Sequence, residues 1–91
     1  VVAYRWSAEK EAALRADRGL EFDALVLAIE TGGLLDDIEN PSRNFPHQRA
    51  YVVAWDGYAV IVPYVRDGDT VFLKTAYRNR KATRRYIGDQ S

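Results

Sequence analysis

Six cations crowd one stretch near the end of the chain, where Lys74, Arg78, Arg80, Lys81, Arg84 and Arg85 meet no acid between Asp69 and Asp89. A regular strand from Thr70 to Tyr77 and on into Arg78 would turn Phe72, Lys74, Ala76 and Arg78 to one face. On a following helix, Arg80 with Arg84 and Lys81 with Arg85 pair at i, i+4. The expected result is a convergence of positive charge where strand gives way to helix. Such a site suits RNA, whose 2′-hydroxyl can attack its own phosphodiester without a metal when cationic donors stabilise the developing charge. Arginine fits because its planar fork holds two phosphate oxygens and never loses its proton. Arg78 and Arg80 are therefore the candidate catalytic cations, and Lys74, Lys81, Arg84 and Arg85 the candidate RNA-binding ones. Tyr77 and Tyr86 are phenols placed to stack on a base or relay a proton. His47, the lone imidazole, titrates in the range a general base needs. Other readings stay open: binding without cleavage, a solvated basic helix face, tyrosines that close a core edge, and an incidental loop histidine.

Several chemistries are excluded or disfavoured. With no cysteine there is no thiolate nucleophile, no disulfide and no zinc site of the usual kind. Asp36, Asp37 and Glu39 cluster, but an acidic turn of this sort reads as solvated surface rather than a metal site. No glycine-rich phosphate loop or nucleophile elbow occurs, so no cofactor is expected. No run approaches about 18 uncharged apolar residues, and the Val1 to Trp6 stretch is too short and polar for a secretory signal. A cytoplasmic protein without a membrane segment is the expectation. Formal net charge is zero, yet residues 1 to 39 carry nine acids and four bases while residues 40 to 91 carry four acids and nine bases. The chain is a dipole in sequence, with its basic half suited to a polyanion.

The elements that must position these groups form one domain over residues 1–91, a length that buries roughly 60–70% of the unfolded chain's surface. A short strand opens the chain. Ser7 caps a helix over Ala8 to Arg18 that Gly19 ends, and Phe22, Leu25, Val26 and Ile29 mark a second helix from Phe22 to Thr31, stopped by Gly32-Gly33. Leu34 to Ile38 is a short strand or a buried turn, and Asn40 to Gln48 is a loop. From Arg49 the period becomes two: strands Arg49 to Trp55 and Tyr58 to Arg66 flank Asp56-Gly57, a type I′ hairpin signal. A third strand runs from Thr70 to Tyr77 and a short helix from Arg80 to Tyr86. Pro63 within the second of these strands signals a bulge or an edge. The fold class is α+β: a three-stranded antiparallel meander with helices on one face. Tyr51, Trp55, Tyr58, Tyr64 and Tyr77 exceed what a one-sided core requires, so some are candidates to line a groove.

Trp6, Lys10, Gly19 and Phe22 stand at the spacing of a Trp-Asp-x-x-Lys-x-x-x-Asn-x-x-Lys-His-Gly-x-x-Phe pattern, and Arg80-Lys81-Ala82-Thr83 follows the last strand as an Arg-Lys-Ala segment. In this the chain resembles the BrnT family of bacterial toxins, small RelE-fold ribonucleases encoded beside an antitoxin. Ser7, Leu14, Asp17 and Arg18 stand where the pattern has Asp, Asn, Lys and His. The resemblance implies a RelE-like fold, metal-independent cleavage of RNA, and a cognate antitoxin that covers the basic groove. Where the pattern's histidine stood, Arg18 supplies charge but no base near neutral pH. An inactive relative that serves as a protein-interaction subunit, and a homodimer through an uncovered strand edge, are further readings.

Overall fold

A computed structural model describes residues 2–41 and 48–88. Strand β1 (Ala3–Arg5) leads into helix α1 (Ala8–Arg18), whose start is set by Ser7: its hydroxyl accepts the backbone N–H of Lys10 at 3.2 Å. Gly19 adopts φ 64° and lets the chain turn off the helix end. Only Leu14 of α1 is buried, so side-chain bonds do much of the anchoring. Trp6 Nε1 donates to Glu11 Oε2 at 2.6 Å, and the Trp6 ring lies 5.5 Å from that of Phe22.

Helix α2 (Phe22–Ala28) is three residues shorter than the periodicity predicts, and a wide turn over Ile29–Gly33 replaces its end. The cause is local. Thr31 donates its hydroxyl to Leu27 O at 2.7 Å, Gly32 takes φ 100°, and a Cβ on Gly33 would stand 2.8 Å from Ala28 O. The chain then enters β2 (Leu34–Glu39), which resolves the ambiguous segment as a strand. β3 (Arg49–Trp55) and β4 (Tyr58–Asp67) pair without interruption from Arg49↔Tyr64 to Trp55↔Tyr58. Asp56 and Gly57 between them both have positive φ, at 50° and 79°, as a type I′ turn requires.

The expected third strand is not continuous. β5 (Thr70–Leu73) and β6 (Tyr77–Arg78) both pair with β4, at Tyr64↔Leu73 and at Ile61↔Tyr77. Val62 and Pro63 on β4 thus face Lys74, Thr75 and Ala76, one residue more, which is a bulge. Pro63 explains it. In an antiparallel ladder a residue turns its N–H and C=O to the same neighbour. Pro63 O accepts Lys74 N at 2.8 Å but offers no N–H in return, so the ladder breaks there. The extra residue reverses the alternation. Leu73 and Ala76 both point into the helix-side core, Tyr77 packs on the opposite face, and Lys74 and Arg78 fall on opposite faces instead of one.

The whole is an α+β fold with sheet order β1-β5-β4-β3-β2, and β1 joins β5 in parallel, Ala3 opposite Thr70. The antiparallel part is therefore larger than a three-stranded meander. Nor do helices keep to one face. The main core, around Leu20, Phe22, Leu25, Val53 and Val60, lies under α1 and α2. A smaller one of Ala50, Val52, Ala59 and Ile61 lies on the other face under helix α3 (Arg80–Tyr86), which contributes Ala82 and Tyr86. Asn79 caps α3 through Ala82 N at 2.8 Å, and Thr83 accepts the N–H of Ala59 at 2.8 Å. Among the described residues no helix is long and apolar enough to cross a membrane.

Candidate nucleic-acid interface

Because α3 is only seven residues long, it shields one part of its face. Beside it lies a cleft of about 500 Å³ lined by Lys10, Arg18, Asn40, Gln48, Pro63, Lys74, Thr75 and Tyr77. Three cations and a phenol meet here, and no carboxylate is among the described lining residues. The bulge builds the site: it presents Lys74 and Thr75 where a regular strand would have continued. Arg18 is locked at the rim by its Nη1, which donates to Ala76 O at 2.8 Å and Thr75 Oγ1 at 3.4 Å. Its Nε and Nη2 have no partner among the described residues. Asn40 N donates to Gln48 O at 2.8 Å and joins the ends of β2 and β3 beneath the cleft. Burial pushes the Tyr77 phenol above its ordinary range, and the nearby Arg18 charge only partly opposes this. At neutral pH Tyr77 is a proton donor, not a base.

Of the described residues nominated from sequence, Lys74 and Tyr77 line the cleft and the others do not. Arg78 sits on the helix side of the sheet, where its Nη1 donates to Arg18 O at 2.7 Å, a bond that satisfies a carbonyl at the α1 C-terminus. Arg18 and Arg78 thus bind each other's strand or helix backbone. Arg80 and Arg84 face a separate hollow at the β3–β4 turn, with Asp56, Gly57, Tyr58 and Thr83. Tyr86 donates to Asp36 Oδ2 at 2.6 Å and ties α3 to β2, while Arg85 lies 5.6 Å from the Tyr86 ring and helps to hold the Asp36 carboxyl low. Lys81 is exposed on α3. His47 lies outside the described residues. The expected single convergence of C-terminal cations is thereby divided among five places.

Asp36 and Asp37 are both engaged. Asp36 takes the Tyr86 hydroxyl, and Asp37 takes the Tyr64 hydroxyl at 2.8 Å and the Arg49 Nε at 3.0 Å. Tyr64 in turn stacks on Tyr51, ring centroids 4.1 Å apart.

Lys10 and Arg18 were not singled out by local charge, since they belong to the acidic half of the chain. A signal existed. They lie four residues on either side of Leu14, the buried residue of α1, and so share the stripe that meets the sheet. No family model matches this chain, and no curated protein matches it.

Proposed function

We propose that this protein is an RNA-cleaving toxin of the RelE-like kind, similar to the BrnT family, and that the cleft takes the scissile phosphate. The observation that carries the reading is the acid-free set of Lys10, Arg18 and Lys74 around Tyr77. Supporting it is the α+β fold, in which a strand and two helices precede antiparallel strands and a short helix. The family-like frame is also divided sensibly: Trp6 and Phe22 pack, Gly19 ends α1, and Lys10 and position 18 meet at the cleft.

In this reading the 2′-hydroxyl attacks phosphorus and the bond to the 5′-oxygen breaks. Lys10, Lys74 and the free edge of Arg18 stabilise the charge that develops on the phosphate oxygens. Tyr77, kept protonated by burial, gives a proton to the departing 5′-oxygen. The attacking hydroxyl loses its proton to solvent. A cytoplasmic setting and a cognate antitoxin that covers the cleft belong to the same proposal.

One observation favours a second reading, an RNA-binding module that does not cleave: the described cleft residues include no carboxylate or imidazole to take the 2′-hydroxyl proton. Incubation of purified protein with RNA in EDTA, with and without ribosomes, separates the two. Cleavage that falls by roughly 10²–10³ in a Lys10→Ala, Lys74→Ala variant is expected. RNA recovered whole, with binding that weakens steeply as salt rises, would establish the module instead.

A further inference from the structure

The hollow at the β3–β4 turn has a composition of its own. Tyr58, at the start of β4, leaves 47% of its surface exposed, and the Arg78 guanidinium carbon lies 5.6 Å from its ring centroid. Arg80 and Arg84 line the same hollow of about 440 Å³, one helical turn apart. Neither forms an ion pair with a carboxylate among the described residues. An exposed aromatic ring beside a cation, in a hollow that holds two further guanidiniums and one carboxylate, Asp56, recognises a flat π-system carrying negative charge. A nucleotide has both features. An acidic peptide has only the charge, and would leave the ring unused.

We infer that this hollow is a second nucleotide-binding station, where a base stacks on Tyr58 and its phosphate meets Arg84 and Arg80. The inference rests on the reading of the cleft as an RNA site and extends it. The cleft lies at the Gln48 and Pro63 end of the hairpin and the hollow at the turn. Tyr77 of the cleft pairs with Ile61, three residues along β4 from Tyr58 of the hollow, so the nearest residues of the two sites are about 10 Å of strand apart, or about three nucleotides at the 3.4 Å stacked rise. Tyr77 and Arg80 are three residues apart in sequence and mark the route between them across β6 and the start of α3. The substrate class is therefore single-stranded RNA of at least about three nucleotides, held at both sites.

Decauridylate binding to the full chain tests this in fixed salt and across a salt series. Tyr58→Ala is expected to weaken binding about tenfold with an unchanged salt slope, because stacking is not ionic, and Tyr58→Phe to retain it. Arg84→Ala is expected to lower the salt slope by about one. Poly-glutamate of equal charge should compete poorly. Should Tyr58→Ala bind as tightly as the parent while Lys74→Ala is weakened, the second station is wrong and the cleft reading stands. Equal competition by poly-glutamate would make the hollow a site for acidic polypeptide and overturn the inference. No binding of decauridylate by the parent protein would overturn both readings.

Discussion

The two faces of the sheet are held by different means. On the helix side, Leu20, Phe22 and Leu25 are fully buried against Val53, Val60 and Val62, and large side chains fill the space between layers. On the other face only small and medium residues are covered, Ala50, Val52, Ala59 and Ile61, and α3 stays in place through Thr83 and Tyr86 as much as through Ala82. A thick apolar layer leaves no room for a groove. A short tethered helix leaves one beside it, and there Lys74 meets Lys10 and Arg18, which reach it from α1. The thick apolar core and the thinly covered part of the sheet thus lie on opposite sides of the same five-strand path.

The largest expected effect lies in the helix-side core. Phe22→Ala removes a fully buried ring that touches Trp6, and should cost about 3–5 kcal/mol in denaturant unfolding. A cost below about 1 kcal/mol would mean that this face is not where stability resides.

Arg78→Ala sharpens the comparison next. Its hydrogen bond to Arg18 O joins the α1 C-terminus to β6, and loss of this charged donor should cost about 1–2 kcal/mol. The accompanying fall in RNA affinity should be smaller than that of Lys74→Ala, since Arg78 is not in the cleft. Unchanged stability with abolished RNA affinity would return Arg78 to the role its sequence neighbourhood suggested.

Why that role was legible and the actual position was not is a matter of range. Local features were read correctly where the physics is local: Ser7 and Gly19 at the ends of α1, and Asp56-Gly57 at a turn that needs two positive φ values. Leu34 to Glu39 hid its strand because Leu34-Leu35-Asp36-Asp37 does not alternate, and a register shift between Leu34 and Asp36 accommodates the irregularity at a sheet edge. Pro63 signals a bulge or an edge, and the structure has the bulge, but with the extra residue across the ladder, at Lys74 to Ala76. That displacement depends on the pairing of two strands. It moved Arg78 to the far face and left Lys74 beside Lys10 and Arg18, which come from a helix more than fifty residues away in sequence.

The smallest expected effect tests the tether of α3. The Tyr86 hydroxyl donates to Asp36, which holds the Asp36 carboxyl below its ordinary 3.8, with the Asp37 N–H adding to the effect. A carboxyl depressed on folding contributes stability above its unfolded value, and that contribution is lost as pH falls through the lower folded value. The same bond raises the Tyr86 phenol, whose contribution is present below its unfolded value of 10.0 and is lost as pH rises through the folded one. Tyr86→Phe should therefore flatten the decline in stability below about pH 4. It should flatten the alkaline decline only in part, because Tyr64 is also raised, by burial and by its bond to Asp37. Urea midpoints across pH 2–11 for both proteins make the comparison. Parallel acid limbs would show that α3 is held by Thr83 and its apolar contacts without help from the Tyr86–Asp36 bond, and the cleft beside it would then keep its shape in acid.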